Sequence, residues 1–119
     1  MENKIELNAE NVYNYLMSIA NNAHNTITYG EMEAKCGMIH GVKNMQYLTD
    51  VLNLTMMYNK MRNEPFLASL VINQEGMPGK GFFRTLEYLG IPVTDERDFH
   101  ATEVQKVRKH NWKPFNWKL

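Results

Sequence analysis

Apolar residues recur at helical spacing in several stretches of the chain. Near the N-terminus, Val12 and Leu16 belong to such a repeat and predict a helix over residues 8–23, with Asn8 as its N-cap. Residues 42–62 contain neither Gly nor Pro and show the same repeat, which predicts a second, longer helix. We therefore expect a mainly helical protein.

A short third helix is predicted between these two. Thr28, followed three residues later by Glu31, has the form of a capping box. The helix would run over residues 30–36 and end at Gly37, a natural C′ residue. Together with the long helix that follows, it has the form of a helix-turn-helix.

The second half of the chain adds a small β element and two more helices. Residues 66–72 (FLASLVI) are continuously apolar and read as a buried strand, and residues 73–81 (NQEGMPGKG) form a turn-rich loop that would make a wing. Helices are predicted over residues 82–89 and 94–110. The expected fold is a single domain over residues 1–119, mainly α: a winged helix-turn-helix flanked by N- and C-terminal helices.

Composition agrees with an ordinary globular domain, since 44% of the 119 residues are hydrophobic and 22% are charged. No apolar run reaches bilayer length and no signal-peptide core is present, so we expect a cytoplasmic protein without a membrane partner. Cys36 is the single cysteine, and the four histidines have no ligand spacing. We therefore expect neither a metal nor another cofactor.

The charges cancel overall, with 13 basic and 13 acidic residues, which weakens the case for strong non-specific binding to nucleic acid. The C-terminal part is nevertheless basic: Lys106, Lys109 and Lys113 recur at helical spacing, and Trp112 and Trp117 lie among basic residues. This combination suits flipped or single-stranded nucleic acid, and it suits a protein interface equally well. A third alternative is that the tryptophans fold back onto the domain.

Residues 27–37 (ITYGEMEAKCG) resemble the C-terminal domain of the alkylguanine-DNA alkyltransferases and their non-enzymatic alkyltransferase-like relatives. In that family a Tyr-Gly pair opens the first helix of the helix-turn-helix and a Gly closes it, as Tyr29, Gly30 and Gly37 do here. The family's recognition helix begins with small residues and an arginine. Lys43 falls at the arginine position.

The resemblance extends to the reactive segment of the family, a Pro-Cys-His-Arg motif followed by two β-branched residues, a polar pair and a Gly-rich wing. Residues 71–76 (VINQEG) match the end of this pattern. Counting back places Ala68 at the nucleophilic cysteine, Ser69 at the histidine and Leu70 at the arginine. The resemblance therefore implies that dealkylation is absent, because nucleophile and base are both missing. We expect the protein not to be an enzyme.

The alkyltransferase-like relatives also lack that cysteine, yet they bind damaged duplexes through the minor groove and flip the base. The resemblance implies that Tyr29 pushes the phosphate of the flipped nucleotide and that Lys43 fills the gap in the stack. Lys80, in the wing, would lie near a backbone phosphate. Without the family, Tyr29 reads as a packed tyrosine, Lys43 as a solvated side chain and the loop as a tight turn.

Two functions from different classes remain. The first is DNA binding without chemistry, through residues 42–62, residues 73–81 and the basic C-terminal segment. The second is a phage counter-defence protein that binds and inhibits a host restriction-type defence protein, which agrees with the neutral charge and the Asn- and Met-rich composition. Met56, Met57 and Met61 would support a homodimer or belong to the core.

Overall fold

Five helices and one small sheet make up the part of the chain that the structure describes. The structure is a computed structural model and describes residues 4–22, 26–39 and 41–113. Its elements in chain order are α1 (Ala9–Asn22), β1 (Ile27–Thr28), α2 (Tyr29–Lys35), α3 (Val42–Met61), a 3₁₀ helix (Leu67–Leu70), β2 (Val71–Ile72), α4 (Lys80–Tyr88) and α5 (Glu96–Lys109). The prediction of a mainly helical protein with a small β element is confirmed.

Local capping fixes where the first two helices begin. The Asn8 side chain accepts a hydrogen bond from the Asn11 amide at 2.8 Å, as an N-cap does. The capping box before α2 is complete, because Thr28 and Glu31 each accept a hydrogen bond from the other's backbone amide at 3.1 Å. Beyond α2, Gly37 has a φ of +69°, a conformation that favours glycine.

Helix α3 is the central element of the core. Its apolar repeat predicts an inner face made of Met45, Leu48, Leu52 and Met56. The last three are buried, which confirms the prediction for them, whereas Met45 is half-buried. Two polar residues, Thr55 and Asn59, are buried on the same face. Helices α1, α2 and α4 and the 3₁₀ helix all pack against α3, so the burial of this face joins most of the fold.

The sheet has two strands that run parallel, with Ile27 of β1 opposite Val71 of β2. The prediction of one strand over residues 66–72 is wrong for residues 66–70, because Phe66 lies outside any strand and residues 67–70 form the 3₁₀ helix. Apolar content alone does not separate a buried strand from another buried segment. Here the backbone polar groups find partners in side chains of other helices rather than in a long strand ladder.

The predicted wing over residues 73–81 is a compact turn that ends before Lys80, where α4 begins. The Asn73 side-chain oxygen accepts hydrogen bonds from the amides of Glu75, at 2.9 Å, and Met77, at 3.2 Å. Asparagine often organises a turn in this way. In the described residues β2 pairs with β1 alone, so the turn does not join two strands of a hairpin.

Helices α4 and α5 complete the fold. A Cβ atom on Gly81 would lie 2.7 Å from the Thr49 methyl carbon, so the close approach of α4 to α3 depends on this glycine. Helix α5 buries Val104 and Val107, as its periodicity predicts. It packs against α1 and the 3₁₀ helix.

Candidate functional site

The segment that the resemblance aligns with the alkyltransferase motif lies inside the protein. Ala68, Ser69 and Leu70 are all buried in the 3₁₀ helix. Alanine and leucine have no reactive group, and the Ser69 hydroxyl is buried with no hydrogen-bond partner in the structure. These positions therefore offer no solvent-accessible nucleophile.

Three buried polar side chains, Asn59, His100 and Glu103, hold the backbone of this segment, and we call them the polar clamp. The Phe66 amide donates to Glu103 Oε2 at 2.8 Å, and the Leu67 amide donates to Asn59 Oδ1 at 3.0 Å. His100 Nε2 lies 2.8 Å from the Ser69 carbonyl oxygen. Because a carbonyl oxygen can only accept, Nε2 is the donor.

The polar clamp was not predicted, although the sequence contains a usable signal for it. Asn59 follows Leu52 and Met56 on the apolar face of α3 at helical spacing. His100 and Glu103 have the same relation to Val104 and Val107 on α5. A polar residue at a core position is nearly always hydrogen-bonded, so each of these positions predicts a buried polar contact.

A small cavity lies beside Ala68. It is lined by Tyr29, Met56 and Phe82 among others and encloses about 10 Å³. This is room for about one water molecule. In this conformation the interior beside Ala68 holds no larger ligand.

Tyr29 lines this small cavity and also lines an open cleft. The cleft has a volume of about 270 Å³, and Gly30, Met45 and Ile72 contribute to its walls. The Tyr29 hydroxyl accepts a hydrogen bond from the Gly79 amide at 2.8 Å. Burial raises the pKa of Tyr29, so the phenol stays neutral at physiological pH.

The prediction that Trp112 belongs to a binding surface is wrong. Trp112 is only 6% exposed, and its indole N–H donates to the Val107 carbonyl at 2.8 Å. Its ring packs edge-on against the rings of Tyr13 and His110. A ring enclosed in this way cannot stack on a base. Trp112 therefore follows the third alternative given for the tryptophans, in which the side chain folds back onto the domain. Trp117 lies outside the described residues.

The predicted lysines do not form one site. Lys43 lies in the first turn of α3 and Lys80 begins α4, whereas Lys106 and Lys109 lie on the last turns of α5. Lys113 follows α5 and, like the other four, is exposed. Of these five lysines, only Lys106 and Lys109 line the same groove.

That groove, which we call the basic groove, lies between the C-terminal end of α3 and the C-terminal half of α5. Its volume is about 570 Å³. Lys60 and His110 join Lys106 and Lys109 on its walls, and the sequence analysis did not single out Lys60. Lys60 lies far along the chain from α5, so its proximity required the tertiary structure.

The outward face of α3 exposes mainly apolar side chains, and we define it by its exposed residues, which are Lys43, Tyr47, Asp50, Leu54, Met57 and Met61. Tyr47, Leu54 and Met61 recur every seven residues and therefore form a line along the helix. Met61 is 78% exposed. Met56, in contrast, is fully buried, so of the three methionines proposed for a dimer only Met57 and Met61 are accessible.

Metal sites, reactive thiols and membrane-spanning helices are the other features that bear on function in residues 4–22, 26–39 and 41–113. These ranges contain no group of His, Cys, Asp or Glu residues arranged to hold a metal ion. Cys36 is a half-buried free thiol, and burial raises its pKa. None of the helices in this part of the chain combines the length and apolar character that crossing a bilayer requires.

Comparison with known proteins found no relative. Neither a family model, nor a curated protein, nor a solved structure matches the chain. The candidate sites therefore rest on the residues and their geometry.

Proposed function

We propose that the chain is a non-enzymatic binding module on an alkyltransferase-like winged-helix scaffold, and that it binds duplex DNA without chemistry. The observation that carries the proposal is the place of Tyr29, which borders both the small cavity beside Ala68 and the open cleft. The resemblance assigns Tyr29 to base flipping and Ala68 to the position of the lost nucleophile. Tyr29 and Ala68 line the same small cavity, which supports the proposal.

A base-sized space requires Tyr29 to move. One hydrogen bond, to the Gly79 amide, holds its hydroxyl. Breaking a single hydrogen bond of this kind costs about 0.5–1.5 kcal/mol net. Rotation of the ring would join the cavity to the cleft and give one pocket lined by apolar and small polar groups, which suits a flipped base.

The start of α3 supplies the phosphate contact. Gly41 caps this helix without a side-chain hydrogen bond, and Lys43 is exposed in the first turn. Free amides at a helix N-terminus attract phosphate, and a lysine beside them strengthens the attraction. Lys80 begins α4, whose N-cap Gly79 also lacks a side-chain hydrogen bond.

The test is the affinity for a labelled duplex that contains one alkylated guanine next to 2-aminopurine, measured by fluorescence anisotropy at low and moderate salt. We expect a dissociation constant of about 1 µM or below at low salt, with a steep loss as salt rises. The 2-aminopurine signal should increase if a base leaves the stack. Absence of binding at low salt would contradict the proposal.

Paired variants locate the DNA surface. Lys43→Gln should weaken binding and reduce its salt dependence by about one phosphate contact. Lys60→Gln removes the same charge from the far end of α3 and should leave DNA binding unchanged. Tyr29→Ala should abolish the 2-aminopurine increase while retaining most of the affinity, because phosphate contacts supply most of it.

A second function, binding of a host restriction-type defence protein, is favoured by the outward face of α3. Exposed apolar side chains that form a line are typical of protein interfaces, whereas this face has few basic residues for DNA. A tagged copy should co-purify with one host protein, and Leu54→Lys with Met61→Lys should abolish the capture. Tyr88→Lys is the matched control, since Tyr88 is as exposed as Met61 but lies on α4. Capture that survives the double variant contradicts this candidate.

A further inference from the structure

The basic groove has its positive charges on opposite walls. Lys60 belongs to the last turn of α3, and Lys106 and Lys109 belong to the last turns of α5. All three side chains are exposed, and within the described residues none of them forms an ion pair. Their charges are therefore available to a ligand that enters the groove.

The floor of the groove is apolar. Phe66 is 5% exposed, and Pro65, Ile91 and Phe99 are half-buried around it. When an apolar side chain covers an apolar floor that is exposed to solvent, binding is favoured by roughly 25 cal/mol per Å² of buried apolar surface. A ligand that fits this floor has an apolar anchor.

Two carboxylates lie beside the floor, but both are engaged within the protein. Glu103 Oε2 accepts from the Phe66 amide, and Glu64 Oε1 accepts from the Tyr13 hydroxyl at 2.7 Å. Arg62 lies 3.5 Å from the other oxygen of Glu64. Glu103 is 5% exposed and the Glu64 side chain 7%, so an entering ligand meets the exposed lysines and the apolar floor first.

We propose that the basic groove binds an acidic peptide segment of a partner protein, with one aromatic or aliphatic side chain on the floor and carboxylates directed to the lysines on both walls. Its volume lies in the range of sites that bind compact ligands, about 300–1,000 Å³. Charge complementarity selects the acidic flanks and speeds the encounter. This proposal is independent of DNA binding, because Lys43 and Lys80 do not line the groove.

An apolar side chain fits the floor better than a nucleobase does. A base that lies on Phe66 and Ile91 would direct part of its polar edge at the other apolar side chains of the floor and at carboxylates that are already hydrogen-bonded. Each polar group buried without a partner costs about 1–3 kcal/mol. Leucine or phenylalanine has no such edge.

The test uses the whole protein and a fluorescein-labelled peptide of sequence Glu-Glu-Asp-Leu-Phe-Asp-Glu-Glu, with binding followed by fluorescence anisotropy at low salt. Two matched peptides separate the contributions, one with Gln and Asn in place of Glu and Asp and one with Ser in place of Leu and Phe. Each of these two peptides should bind about tenfold more weakly than the first peptide, because one lacks the negative charges and the other lacks the apolar anchor. Equal binding of all three peptides, or no binding of the first, overturns the proposal.

Matched double variants place the peptide on the protein. Lys60→Gln with Lys106→Gln removes one charge from each wall and should weaken the peptide about tenfold. Lys43→Gln with Lys80→Gln removes the same charge elsewhere and should leave the peptide unaffected. All four lysines are exposed, so each variant is expected to fold, and circular dichroism checks this.

Nuclear magnetic resonance and competition complete the test. Amide shifts caused by the peptide should concentrate at Phe66, Phe99 and Lys106. A single-stranded oligothymidine should fail to displace the peptide at equal concentration. Displacement that depends on Lys60 and Lys106 would instead assign the groove to nucleic acid and overturn the peptide proposal.

Discussion

The segment 66–70 and the outward face of α3 lie in the same small fold and differ in how their side chains are held. In the segment, three backbone polar groups receive buried partners from the polar clamp. On the outward face, Tyr47, Leu54 and Met61 point into solvent. The segment is fixed by contacts within the protein, whereas the outward face leaves apolar surface exposed that a partner could cover.

This difference separates stability from binding. The resemblance places its reactive positions in the segment, where alanine, serine and leucine now serve the core. Surfaces that remain open, the outward face and the basic groove, carry no such reactive positions. The proposed binding function without chemistry agrees with a buried segment that lacks reactive groups and with surfaces that stay open. Variants in the buried segment should therefore change stability, whereas variants on the open surfaces should change binding.

The largest effect is expected for Trp112→Ala. The variant removes a buried aromatic ring that packs against Tyr13 and should lower the free energy of unfolding by about 3–5 kcal/mol. Urea denaturation measures it. Tyr88→Ala, which removes a ring that is 78% exposed, should change stability by no more than about 0.5 kcal/mol. Equal effects of the two variants would show that Trp112 is not part of the core.

A smaller loss is expected for Glu103→Ala, which leaves the buried Phe66 amide without its acceptor. The penalty should be about 2–3 kcal/mol, since the lost bond is to a charged group. Glu103→Gln keeps an acceptor and should recover part of it. Asp50→Ala removes an exposed carboxylate from α3 and should have almost no effect. Amide hydrogen exchange at Phe66 should accelerate most in Glu103→Ala, less in Glu103→Gln and not at all in Asp50→Ala.

Tyr29→Phe should cost less again, about 0.5–1.5 kcal/mol, because it removes one hydrogen bond and keeps the ring. Exchange of the Gly79 amide should increase, while exchange in α5 should stay as it is. If the Gly79 amide is equally protected in the variant, the tyrosine hydroxyl is not what holds the loop to α2.

Tyr29 also affects how the stability of the protein changes at alkaline pH. Burial raises the pKa of both Tyr13 and Tyr29 above the value of 10.0 for a free phenol. The unfolded chain therefore ionises first as pH rises, so the contribution is fully present below pH 10 and is lost above it. Tyr29→Phe should flatten this decline in a series of urea unfolding curves. An unchanged alkaline profile would contradict the burial of Tyr29.

The smallest effect on stability is expected for Leu54→Lys and Met61→Lys on the outward face of α3. Both side chains are exposed, so each change should stay within about 0.5 kcal/mol in urea denaturation. Loss of partner capture without loss of stability would sharpen the comparison. A large destabilisation would show that this face is part of the core.

Features that depend on neighbours in sequence were predictable. The capping box of Thr28 and Glu31, the end of α2 near Gly37 and the inner face of α3 all follow from residues a few positions apart. The 3₁₀ helix did not follow, because its backbone partners come from Asn59 and from α5, far along the chain. Trp112 was ambiguous for the same reason, since its burial depends on Tyr13.

The candidate site was predictable only where it coincides with a local motif. Tyr29 came from a Tyr-Gly pair, and its hydroxyl contact with Gly79 requires the fold. Lys106 and Lys109 were visible as a basic repeat, yet the groove that gives them a role needs Lys60 from another helix. Sequence patterns identify which residues share a helix face, but not which faces meet.

The pairing of β1 with β2 has a consequence for the order in which the chain folds. Ile27 meets Val71 only after the intervening chain, with α2 and α3, has been brought into a closed loop. Closing so long a loop costs entropy that the local hydrogen bonds of α3 do not, so helix α3 has no need to wait for the strands. We expect the two strands to gain protection from hydrogen exchange after α3 does. The Tyr29 region, which adjoins β1, should then gain its protection after α3 as well.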